Sequence, residues 1–168
     1  MIERTKAKLA EARIQLDRLK AERFRQVQNA SPTVSPEFLF QLDTFIQTAR
    51  SVRWVLQSEE ETKYKAWEPS RKAAMNDNEA RIFKLVNCMR VAIVKRGDRG
   101  IEARREQVEI PENPHPAAGS QYQGLQDWDR PTTMIDVCYF EGVEVVSLCE
   151  QYLDILTREI DDFERTSS

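Results

Sequence analysis

The sequence of 168 residues has one histidine, five glycines, three cysteines and no long apolar run. A single histidine leaves little room for general acid–base chemistry at neutral pH. His115 stands between Pro114 and Pro116 in the most loop-like part of the chain, so it reads as a solvated loop residue. No glycine-flanked serine or other nucleophile signature accompanies it, which argues against Ser-His-Asp and Cys-His arrangements. Phosphate loops, dinucleotide fingerprints and zinc-protease motifs are absent. Cys88, Cys138 and Cys149 are odd in number and widely spaced, and with one histidine they cannot form a tetrahedral zinc site of the usual spacing. They read as reduced core or near-core residues. No metal and no cofactor is expected. The longest aliphatic run, Val91-Ala92-Ile93-Val94, falls far short of the roughly 18–20 residues that cross a bilayer. The first residues also lack the apolar core of a secretory signal. A cytoplasmic protein without a membrane partner is expected.

Charge, in contrast, is plentiful and unevenly distributed. Lys and Arg number 25 against 28 Asp and Glu, a net charge of -3. Summed by segment, residues 1–30 carry +4, 31–70 carry -2, 71–105 carry +6 and 106–168 carry -11. Such a split asks for a partner, internal or external.

Apolar spacing predicts four long helices. Ile2, Leu9, Ala12, Leu16 and Leu19 fall on one stripe of a first helix that runs to about Gln28. Ser35-Pro36-Glu37 reads as a helix start, and Phe38, Leu42, Phe45, Ala49, Val52 and Leu56 give the strongest periodicity in the chain. This second helix is expected to end by Glu68-Pro69, because the residue before proline is pushed out of helical geometry. Ile82, Val86, Met89 and Ile93 trace a third helix that stops at Arg96-Gly97. Val145, Cys149, Tyr152, Leu156, Ile160 and Phe163 trace a fourth. Between the third and fourth, four of the seven prolines punctuate the chain, and residues 106–110 and 133–139 alternate like strands. The expected fold is mainly α: an antiparallel four-helix bundle forming a single domain over 1–168, with a β-hairpin-like insertion at 97–139.

Two charged regions are candidates for chemistry. Asp154, Asp161, Asp162 and Glu164 on the fourth helix read as a solvated face rather than a metal site. Arg90, Lys95, Arg96, Arg99, Arg104 and Arg105 stand against only two acids and make a cationic stretch of the size that grips phosphates. Four helices, an aromatic-rich second helix and an arginine near the end of the third, followed after a four-residue gap by a polar residue, resemble the HEPN superfamily. Ribonucleases of that family carry an R-x-x-x-x-H signature in which the arginine holds the scissile phosphate and the histidine handles the proton of the attacking hydroxyl. Two such motifs usually face each other across a homodimer cleft. Arg90 falls on the family arginine, but Lys95 occupies the histidine position. A lysine with an ordinary pKa near ~10.4 is a locked cation at neutral pH, whereas histidine near ~6.5 both takes and gives a proton.

The resemblance with this departure implies a homodimeric, non-catalytic helical module that binds RNA or nucleotides through the cationic stretch. Three alternatives stand beside it. One is a metal-independent endoribonuclease using Arg90. The second is a structural dimeric adaptor whose 112–130 loop, with Tyr122, Leu125 and Trp128, captures a protein. In the third, the acidic fourth helix neutralises the basic stretch within or between subunits.

Overall fold

The computed structural model describes residues 2–23, 34–96, 100–109 and 132–167, apart from the side chains of 94–96, 105–109, 132–136 and 167. Among the described residues the chain is mainly helical, with five helices and a small antiparallel sheet.

Helix α1 (Glu3–Arg23) buries the predicted stripe of Leu9, Ala12, Leu16 and Leu19. It runs antiparallel to α2 (Pro36–Glu59), so that the end of α2 meets the beginning of α1 at Glu59 and Thr5. At the start of α2, Ser35 Oγ accepts the Phe38 N–H at 3.1 Å, and Pro36 occupies the first turn, where no backbone donor is needed. Phe38, Leu42, Phe45, Ala49, Val52 and Leu56 are all buried, as their spacing predicts.

The second helix differs from expectation at its end. It stops at Glu59, because Glu60 leaves helical geometry with φ -134° and ψ 52°, and a separate helix α3 (Glu61–Ala74) continues through Pro69. An interior proline costs about 3 kcal/mol of helix stability. Burial of Tyr64 and Trp67 offsets it: a buried large side chain contributes roughly 1.5–3 kcal/mol, and Trp67 adds an edge-on contact with Phe163 at 5.4 Å and a bond from its Nε1 to Asp162 Oδ2 at 2.9 Å. Packing overrides local propensity here. Helix α4 (Asp77–Arg96) starts where Asn76 Oδ1 accepts the Glu79 N–H at 2.9 Å.

The expected hairpin is present and longer than predicted. Strand β1 (Ile101–Glu109) begins five residues earlier than the alternating pattern suggested and pairs antiparallel with β2 (Thr132–Phe140). A two-residue turn, Glu141 (φ 48°) and Gly142 (φ 76°), leads into the short β3 (Val143–Glu144). Two consecutive positive φ values give the turn a twist that matches right-handed strands. Ile101 opposite Phe140, and Ala103 opposite Cys138, place one face of the hairpin on the helical core.

Helix α5 (Val145–Ser167) follows at once, its first turn closed by Glu144, whose carboxylate accepts the N–H groups of Val146 at 3.1 Å and Ser147 at 2.6 Å. It runs antiparallel to α1, tied by Lys6–Glu164 and Lys20–Glu150, each at 2.7 Å. Phe83–Tyr152 and Glu79–Arg158 fix α4 antiparallel to it as well. No described helix is long and apolar enough to cross a membrane.

Candidate functional site

The apolar stripe of α2 turns inward, which leaves its opposite face to solvent. Phe40 and Trp54 lie on that face, 67% and 73% exposed. Trp54 forms one wall of an open groove of about 440 Å³ between α2 and α4, together with Gln47, Arg50, Ser51 and Arg90. None of these five carries a negative charge or a histidine ring. Arg90 is half-buried, and its Nε is enclosed without a hydrogen-bond partner.

A second pocket of about 250 Å³ adjoins the first through Arg50, which lines both. Its other lining residues are Arg53, Phe83, Val86, Asn87 and Tyr152. Arg53 is firmly held: its guanidinium carbon stands 4.9 Å over the Phe83 ring, and its Nε lies 3.1 Å from Glu159 Oε2. That ion pair falls short of hydrogen-bond geometry, and Arg53 Nη2 is buried with no partner. The Phe83 ring meets Tyr152 edge-on at 5.2 Å. Burial pushes the Tyr152 phenol up to about 12, against the opposing pull of Arg53 and Arg50, so it remains a neutral hydroxyl.

Behind this pocket lies an ionic network that joins four helices. Glu159, 2% exposed, pairs with both Arg53 and Arg71 at 3.1 Å. Arg71 also bonds Glu79 at 2.9 Å, and Glu79 reaches Arg158 at 3.2 Å. Burial raises the Glu159 carboxyl above its ordinary range even though Arg53 and Arg71 favour its ionised form.

The six predicted basic residues do not form one described patch. Arg90 lines the groove, whereas Arg104 lies on β1, exposed, bonded to Glu102 at 3.2 Å and stacked 4.8 Å over Tyr139. Lys95 and Arg96 end α4 with side chains outside the description, Arg105 stands opposite Asp136 in the hairpin register, and Arg99 lies outside the described residues. His115 and the 112–130 loop, with Tyr122, Leu125 and Trp128, are outside them too. The acids of α5 pair with α1, α2 and α3: Glu150 and Glu164 with α1, and Glu159 with Arg53 and Arg71. No described acid pairs with Arg90. No cluster of His, Cys, Asp and Glu among the described residues could hold a metal ion. The three cysteines are free, and burial pushes the Cys149 thiol well above its ordinary value, so it is an inert packing residue.

Arg50 and Arg53 were not singled out by the sequence. The available signal was Trp54, a large aromatic standing off the buried stripe just after two arginines on the same helix. Comparison with family models, curated proteins and solved structures finds no match to this chain.

Proposed function

We propose that the protein is a non-catalytic, HEPN-like four-helix-bundle module, with α1, α2, α4 and α5 as the bundle, that binds RNA or nucleotides through the groove between α2 and α4. The observation that carries this reading is the pairing of an exposed Trp54 with Arg50 and Arg90 in one acid-free groove. An exposed aromatic face stacks a base, and arginines neutralise phosphate. The groove lining holds no carboxylate or imidazole to take a proton from an attacking hydroxyl, and Lys95 in the histidine position supplies none at neutral pH. Binding therefore proceeds without strand cleavage. Fluorescence anisotropy of a labelled single-stranded RNA at 50 mM salt tests this: the wild type binds, Trp54→Ala and Arg90→Ala weaken binding, and the RNA stays intact. Absence of binding overturns the reading, and RNA cleavage lost in Arg90→Ala replaces it with the endoribonuclease alternative.

The exposed Phe40, fourteen residues before Trp54 on α2, also favours a homodimer through the first half of that face, clear of the groove. Solution mass by light scattering tests it, with a shift to monomer expected for Phe40→Glu.

A further inference from the structure

Beside the groove, the smaller pocket has a composition that selects a ligand group. Arg50 and Asn87 are exposed at its wall, Arg53 is fixed by Phe83 and Glu159 with a buried Nη2 left unpartnered, and Tyr152 is a neutral hydroxyl. All four side chains offer hydrogen-bond donors, and no acid lines the pocket. The network behind does not neutralise the site. Glu159 divides its charge between Arg53 and Arg71, so Arg53 keeps part of its positive charge, and Arg50 adds a full one. A compact dianion with several acceptor oxygens satisfies donors and charge together, as a planar carboxylate with a single charge does not. A volume of about 250 Å³ accommodates a phosphate and part of a sugar. Arg50, common to both cavities, sets the phosphate pocket next to the Trp54 stacking surface.

We infer that the two cavities form one bipartite site for a nucleoside phosphate monoester: the base stacks on Trp54 beside Arg90, and the terminal phosphate enters the Arg50–Arg53–Asn87 pocket. This rests on the nucleotide-binding reading above and narrows it, because an internal phosphodiester carries one charge and is substituted on two oxygens. Free mononucleotides and the phosphorylated end of an RNA strand present the same chemistry.

Isothermal titration of the full chain at 50 mM salt separates these sources. Adenosine 5′-monophosphate is compared with adenosine, and a 5′-phosphorylated oligoadenylate with its 5′-hydroxyl counterpart. The phosphorylated member of at least one pair binds ten or more times more tightly; preference in the first pair alone identifies free mononucleotides, and preference in both identifies strand ends as well. Asn87→Asp, which adds a charge without changing shape, abolishes the preference while leaving adenosine binding in place; Arg50→Ala also abolishes it and, because Arg50 lines the groove as well, weakens hydroxyl-ended strands too. Both residues are exposed, so the result does not depend on the folding of Arg53 variants. Equal affinity within each pair, or a preference that survives Asn87→Asp and Arg50→Ala, overturns the phosphate pocket and leaves the base-stacking reading intact. No binding by any of the four ligands overturns both.

Discussion

Glu59, the last residue of α2, caps a helix to which it does not belong: its carboxylate accepts the backbone N–H groups of Arg4 and Thr5, each at 2.8 Å, and the Thr5 hydroxyl. These donors are orphans of the first turn of α1, and the partial positive charge there favours a carboxylate. One side chain at the end of one helix thereby starts another and fixes their antiparallel register.

Removing that cap exposes its worth. Glu59→Ala is expected to cost about 1–2 kcal/mol, as loss of a good cap does. Burial raises the Glu59 carboxyl, but the Thr5 hydroxyl and the Arg4 and Thr5 N–H groups outweigh it and hold the carboxyl below its ordinary value. The stability it adds is fully present above the unfolded-state value and is lost as pH falls through the folded one. Urea unfolding of wild type and Glu59→Gln at neutral and acid pH checks the sign: the difference between them shrinks as the solution is acidified.

Glu159 titrates in the opposite sense. Burial raises its carboxyl despite Arg53 and Arg71, so between the unfolded and folded values the native state holds more protons. Acidification through that window adds stability from this group, and the gain disappears in Glu159→Gln. At neutral pH the truncation Glu159→Ala is expected to cost about 3–5 kcal/mol, because Arg53 and Arg71 lose a shared partner inside the protein. Chemical denaturation reads the loss, and a cost below about 1 kcal/mol would mean that water replaces the carboxylate. Because Arg71 retains Glu79 at 2.9 Å, Arg53 is the side chain left most exposed to this change.

The contrast between Glu159 and the α2 stripe explains what a sequence discloses. Phe38, Leu42, Phe45, Ala49, Val52 and Leu56 are legible because burial of one helical face imposes a period, and Ser35-Pro36 is legible because a helix start needs those chemistries locally. Glu159 reads as one more acid on an acidic helix, since its burial depends on arginines that come from α2 and α3. The groove has the same character. Arg90 stands out by its place near the end of its helix, but Arg50 and Trp54 lie some forty residues away and join it only through packing of α2 on α4. Strand β1 is less legible in its first half because Ile101-Glu102-Ala103-Arg104 alternates for only four residues before Arg105 falls at a position in register with Ile101 and Ala103.

Within the groove, Trp54 and Arg90 are assigned different physical tasks, and salt separates them. Affinity for single-stranded RNA falls with salt in proportion to the phosphates neutralised. Arg90→Ala is expected to weaken binding and lower the slope of log affinity against log salt by about 1. Trp54→Ala is expected to cost about 1–3 kcal/mol for one lost stacking contact with the slope unchanged. Anisotropy titrations at four salt concentrations distinguish the two patterns; a changed slope for Trp54→Ala would mean that the tryptophan positions the arginines instead of stacking a base. Trp54 is 73% exposed, so its removal leaves unfolding stability within about 0.5 kcal/mol of wild type.

Pro69 offers the most direct test of packing against propensity. It lies inside α3, after Tyr64 and Trp67 have entered the core, and having no N–H it cannot donate to the Lys65 carbonyl one turn earlier. Its ring is exposed, and no described contact depends on it. Pro69→Ala restores the missing donor and removes the clash with the preceding turn, although it also frees the unfolded chain, which offsets up to about 1 kcal/mol. The expected net gain is about 1–2 kcal/mol, well below the roughly 3 kcal/mol of an isolated helix, because the surrounding structure has already relaxed around the ring. Trp67→Ala, by contrast, is expected to lose about 3–5 kcal/mol by removing the contact with Phe163 and the bond to Asp162. If α3 is held through Trp67, combining the two changes rescues only the proline's share, and amide exchange across 61–74 stays fast in Trp67→Ala even with Pro69 replaced. Protection restored to wild-type levels in the double variant would assign the helix to local propensity instead of to its tertiary contacts.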